Sequence, residues 1–166
     1  MELEEAKAKY IQAWGALGTS WGINKAMAMI HALLMVSIKP LSTEDVMEEL
    51  KISRGNANMN IRALINWGIV EKKIIPGERK EYFVAEKDIM EVARQVTKER
   101  QKREIEPILK VLIDIKNVKG ESPEAKAFKT ATEDIYQFTN KVNTLLSKFS
   151  TSDENWFMKM VLKILK

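Results

Sequence analysis

The chain has 166 residues, 45% of them hydrophobic and 30% charged, with no cysteine and a net charge of +4. That is enough for one domain with helical extensions, and it excludes a disordered chain, a disulfide scaffold and any thiolate nucleophile or cysteine metal site. No run of about 18 uninterrupted apolar residues exists and "MELEEAKAKY" lacks the basic start and apolar run of a signal peptide, so a cytoplasmic protein is expected.

The periodicity predicts a first helix over Leu3 to Leu17, with Leu3, Ala6, Tyr10, Ala13, Trp14 and Leu17 on one stripe. "GTSWGIN" reads as a break, its glycines serving as a helix stop or for close packing. A second helix, Lys25 to Val36, is apolar almost all round and should be buried. It stops at "IKPLS", because the residue before a proline avoids helical backbone angles. Ser42, with Asp45 three residues on, has capping-box spacing for a third helix, and Leu41 before it fits a hydrophobic staple. "KIS" leaves a tight connection. Ser53 then caps a fourth helix that ends at "NWG", with Gly68 placed to terminate it. "IVEKKII", "PGERK" and "EYFVA" read as strand, charged turn and returning strand.

From Lys87 onward the pattern is helical again, with a highly charged middle and Pro107 expected to kink or split it. Ser122 and Pro123 fit the N-cap and first position of a further helix running to about Phe149. Asp153 would cap a last amphipathic helix with Trp156, Phe157, Met160, Val161, Ile164 and Leu165.

This order of elements is that of a winged helix-turn-helix, which presents its Ser53 helix to the DNA major groove. The predicted fold class is mostly α with a small β-hairpin wing, the winged core at 24–88 being flanked by an N-terminal helix (1–23) and C-terminal helices (89–166) that dimerise. The charge agrees. From Lys51 to Tyr82, seven basic residues against three acidic ones carry the whole net excess of +4, a local basic surface of the kind that binds phosphates.

Three asparagines at alternate positions, Asn56, Asn58 and Asn60, are poor helix formers in an otherwise helical stretch. With Ala57 at the centre of the inner face, 100° per residue turns Gly55, Asn56, Met59, Arg62, Ala63 and Asn66 outward and leaves Asn58 and Asn60 on the flanks. Asparagine can pair with adenine, arginine bidentately with guanine, and methionine can lie against a thymine methyl. Gly55 allows close backbone approach to a phosphate at the helix N-terminus. The expected DNA-binding set is Ser42, Thr43, Ser53, Arg54, Gly55, Asn56, Asn58, Met59, Asn60 and Arg62, with Lys72, Arg79 and Lys80 from the wing. The operator should be a pseudo-palindrome read by a homodimer held through Tyr10, Trp14 and Leu17 at one end and Trp156, Phe157, Met160, Val161 and Ile164 at the other.

"ISRGNANMNIRALINWGIVEKKIIPGERKEYFVAEKD" resembles the GbsR branch of the MarR-like transcriptional regulators, in its "SRGN…MN…R.LI.WG" helix and its "PGERKEYF" wing. The likeness extends more loosely to "AMAMIHALL" and "EIEPIL". It implies a homodimeric winged-helix repressor or activator that responds to a small molecule, in the best-known member type the quaternary amine choline. The segments that would shape a pocket match loosely, so choline specificity is not carried over. The four tryptophans (Trp14, Trp21, Trp67, Trp156) could supply cation–π walls for such a ligand or simply pack the core.

His31, the one histidine, sits in an apolar helix and is expected to be a hydrogen-bonded core residue. No nucleophile–base pair or catalytic signature appears, so an enzyme is not expected, nor a bound metal or cofactor. Two other readings compete: a winged helix used only for protein contact, and an RNA-binding adaptor. The polar outward face disfavours the first and the scarcity of aromatics near the basic segment the second.

Overall fold

The structure, a computed structural model, describes residues 1–151. The expected Asp153 cap and the last helix with Trp156, Phe157, Met160, Val161, Ile164 and Leu165 lie outside them. The elements run α1 (Leu3–Ser20), α2 (Lys25–Val36), β1 (Leu41–Ser42), α3 (Thr43–Leu50), α4 (Arg54–Asn66), β2 (Val70–Lys73), β3 (Tyr82–Ala85), α5 (Ile89–Arg100), a π-helical turn (Gln101–Ile105), α6 (Glu106–Ile115) and α7 (Pro123–Thr151). The chain divides into two compact units, the first Met1–Val92 and the second beginning at Ala93.

The first unit is a winged helix-turn-helix with an added N-terminal helix. Its core is Ile30 and Leu34 of α2, Val46 of α3, Ala57, Ile61 and Leu64 of α4, and Val70 and Phe83 of the sheet. Asn24, whose side chain accepts from the amides of Ala26 and Met27, starts α2. The Ser42–Asp45 capping box forms as expected, with the Ser42 Oγ accepting from the Asp45 amide and the Asp45 carboxylate accepting from the Ser42 amide. The tight connection to α4 works because Lys51 takes a left-handed conformation (φ 53°), and Gly68 (φ 72°) ends α4 in the same way. β2 and β3 form the expected hairpin. Leu41 and Ser42 add a short third strand on the far side of β3, opposite Phe83 and Tyr82, so the sheet order is β1-β3-β2.

The N-terminal helix does not stand apart from the winged core. α1 buries Ile11, Gly15 and Gly18 against α2, and a Cβ at Gly18 would lie 2.5 Å from the Cβ of Ala28. Gly15 and Gly18 therefore serve close packing, and the break falls later, at Trp21 and Gly22 (φ 74°). At the other end of α2, the Lys87 ammonium donates to the carbonyl oxygens of Leu34, Met35 and Ser37 at 2.6, 2.7 and 3.0 Å. A cation there answers three carbonyls at a helix C-terminus and ties the segment after β3 to the end of α2.

In the second unit, α6 and α7 pack on one another. Pro107 lacks an N–H and its ring would collide with the Arg103 carbonyl, so the ladder widens into the π turn just before it rather than splitting. The buried Gln101 amide of that turn donates to Asn143 Oδ1 (2.7 Å) and Ser147 Oγ (2.6 Å) on α7. Ser122 caps α7, accepting from the Ala125 amide at 3.1 Å. Among the described residues no helix is long and apolar enough to cross a membrane.

Candidate nucleic-acid interface

Helix α4 carries the candidate surface. Its N-cap, Ser53, accepts from the Asn56 amide at 3.3 Å. Gly55, Met59, Arg62 and Asn66 project from one exposed face, with Met59 60% exposed. Among the described residues, nothing beyond the adjoining helix backbone lies within 4 Å of a Cβ built on Gly55, so no packing contact there requires glycine. Its absent side chain leaves room for something outside the molecule.

The asparagine puzzle resolves mostly inward. Asn60 is 3% exposed, and its amide nitrogen donates to the Asn56 carbonyl (2.9 Å) and to Asn56 Oδ1 (2.6 Å). It lies only 60° from Ala57 on the helical wheel, and packing of α2 and α3 on α4 makes the buried face wider than a single stripe. Asn58 is half-buried and accepts from the hydroxyl of buried Thr43 at 3.2 Å, joining α4 to α3. Ser42 is buried in the capping box. Ser42, Thr43 and Asn60 were expected at DNA; the structure encloses all three, Ser42 in the cap of α3, Asn60 against Asn56 within α4, and Thr43 in the one of these bonds that joins α3 to α4. Asn56 and Asn58 keep only part of their surface outward.

The basic residues also separate. Arg54 pairs with Glu44 at 2.7 Å, Lys73 with Glu71 at 3.1 Å, and Lys72 with Glu81 across the hairpin. Among the described residues, Arg62, Arg79 and Lys80 make no ion pair and are exposed. Lys80 nonetheless acts electrostatically on the first turn of α3. Glu44 is held below the usual carboxylate range, first by backbone hydrogen bonding and then by Arg54, with a smaller contribution from Lys80. Asp45 is lowered mainly by its bond to the Ser42 backbone, with Lys39 and Lys80 adding to it. The wing therefore returns its positive charge towards the start of the helix-turn-helix.

His31 is buried as expected, but among the described residues its Nε2 has no hydrogen-bond partner, and the ring sits 6.5 Å from that of Trp14. Burial, reinforced by the positive charge of Lys87, lowers its pKa to about 4. Trp14 also faces Tyr10 at 5.7 Å. Tyr10 and Trp14, expected at a dimer interface, are thus half-buried beside α2, while Leu17 is exposed. The described tryptophans lie on different elements: Trp14 within α1, Trp21 exposed at its end, Trp67 buried at the end of α4. Among the described residues no cluster of His, Asp and Glu could hold a metal. A groove of about 790 Å³ runs between α1, the end of α2 and α3, with Ile11 and Leu33 among its apolar lining and Lys7, Lys39 and Lys51 beside Glu4, Asp45, Glu48 and Glu49 among its charged lining.

No family model and no curated protein matches the chain. The solved structure of a transcriptional regulator is similar over 89% of this chain and 99% of its own, with a TM-score of 0.61 and 18% identity. At that identity the likeness is one of fold alone.

Proposed function

We propose that the protein is a sequence-specific, double-stranded-DNA-binding transcriptional regulator. The observation that carries this reading is the exposed face of α4, where Gly55, Met59 and Arg62 stand clear of the chain's own contacts and the unpaired Arg79 and Lys80 follow on the wing. Arg62 reads a base edge, bidentately where it meets guanine; Gly55 and the first turn of α4 approach a phosphate; Arg79 and Lys80 neutralise backbone charge. Ser53 and Asn56 assist at the helix start, Thr43 and Asn58 hold α3 and α4 in register, Ser42 caps α3, and Asn60 braces Asn56 within α4.

The finer reading is a homodimeric, ligand-responsive repressor of the GbsR type, supported by the likeness of the α4 and wing residues to that branch. The groove beside α3 offers an effector room, with lysines as well as carboxylates in its lining. Calorimetry with choline, betaine and related amines tests that part: heat of binding supports it, and none across the panel removes it.

DNA binding itself is tested by fluorescence anisotropy of labelled duplex over a range of salt. Affinity should fall linearly with salt on logarithmic axes. Replacing Arg79 and Lys80 with alanine should weaken all duplexes alike and reduce the slope by up to about two charges' worth. An unchanged slope takes the wing out of the interface.

A further inference from the structure

Arg54 stands at the wrong end of its helix for a cation. It is the first residue of α4, where the helix dipole is positive, and the first turn of α4 holds no acidic residue of its own. The anion comes from the neighbouring helix. Glu44, in the first turn of α3, takes the Arg54 guanidinium at 2.7 Å. The Lys72–Glu81 and Lys73–Glu71 pairs, by contrast, stay within the hairpin.

The fold of α3 does not rest on Glu44. Asp45 supplies the capping box and Thr43 the bond to Asn58. Both members of the Arg54–Glu44 pair are open to water, their side chains 61 and 40% exposed, so the pair adds little stability. Its place is more telling than its strength. The Glu44 carboxylate lies between the start of α4 and the wing: Arg54 bonds it, and the charge of Lys80 also reaches it. Gly55 follows Arg54 in the chain and leaves that side of the turn open. Cations from two elements converging on one exposed anion, beside a glycine, is the surrounding that a backbone phosphate would meet.

We propose that Glu44 is an internal stand-in for a DNA phosphate, which holds Arg54 out of non-specific contacts and yields it to the backbone when α4 is seated on its operator. The inference rests on the DNA-binding reading and adds a specificity-determining residue to it. On an arbitrary duplex the protein is held by charge alone, in no fixed register, and a carboxylate that is always adjacent keeps Arg54. On the operator, base contacts fix the first turn of α4 against a phosphate. Arg54 then exchanges carboxylate for phosphate, and the long, exposed Glu44 side chain turns to water. Non-specific complexes lose one contact and operator complexes lose none, so the gap between them widens.

Fluorescence anisotropy of the full-length protein tests this with two labelled duplexes: the sequence that the wild type selects from a random pool, and its scramble. Glu44→Gln keeps the size of the side chain and removes its charge. It should tighten the scrambled duplex roughly 3- to 10-fold and steepen its slope of log affinity against log salt by about 0.9, one phosphate's worth, while moving the selected duplex by less than about 2-fold. Arg54→Ala should do the converse, weakening the selected duplex roughly 3- to 10-fold and leaving the scramble nearly unchanged. In Glu44→Gln/Arg54→Ala the gain on the scramble should vanish, because the gain is Arg54's. A gain that survives the loss of Arg54 is removal of negative charge alone and overturns the proposal. Equal tightening of both duplexes by Glu44→Gln, or of neither, also overturns it, and does so without touching the DNA-binding reading. A wild type that binds no duplex, or prefers none, overturns that reading and this inference with it.

Discussion

Helices α4 and α7 are built on opposite plans. α4 buries Ala57, Ile61 and Leu64 and turns glycine, arginine and asparagine outward. α7 buries Thr132, half-buries Tyr136, Asn143, Leu146 and Ser147, and turns Phe128, Ile135, Phe138 and Leu145 outward. An outward polar face is stable in water with or without a partner, so α4 has to be recognised by its particular residues: a glycine with no internal need and an arginine with no ion pair. An outward apolar seam is itself the anomaly, because water opposes it at every layer. One helix turns a polar, charged face to water and the other an apolar one.

The sharpest way to break this comparison is to apply one kind of change to both helices. Leu64→Ala, in the α4 core, should lower folding stability by about 2–5 kcal/mol in a denaturant titration. Phe138→Ala should move the stability of the single chain by about 0.5 kcal/mol or less, measured below the dissociation concentration. Equal losses at the two positions would mean that the α7 seam is interior after all.

A second expectation concerns the core on which α4 rests. His31 has a folded pKa near 4 against an ordinary value of 6.5, so the unfolded chain binds a proton that the folded chain refuses between those values. Its contribution is fully present above pH 6.5 and is lost as pH falls towards 4, a total on the order of 3 kcal/mol. Denaturation across that window should show the fall, and His31→Phe should flatten it.

On the α4 surface the effects are smaller and fall on binding. Arg62→Ala should cost about 1–3 kcal/mol of specific DNA affinity and relax preference at one position per half-site. Equal loss on operator and scrambled duplex would reassign Arg62 to phosphate contact. Asn60→Ala should do the reverse, lowering stability by about 1 kcal/mol through its buried hydrogen bonds while leaving sequence preference alone. A changed base preference would return Asn60 to the interface.

Much of this was legible in the chain. Ser42, Ser53, Ser122, Gly68 and the "PGERK" turn announce their structures because capping and turn chemistry are local. What was hidden depends on packing from elsewhere. β1 is two residues long and exists only because β3 lies beside it. Lys87 caps a helix more than fifty residues earlier in the chain. Asn60 faces inward because two helices, not one, cover α4. The two stripes of α7 have the same spacing, so periodicity alone could not say which one α6 covers.

Selection of bound duplexes from a random pool by the full-length protein tests the reading of α4 directly. The account predicts enrichment of a two-fold-symmetric motif with inverted half-sites, read by α4. A pool with no enriched sequence, or one enriched for a single asymmetric site by the wild type, would contradict it.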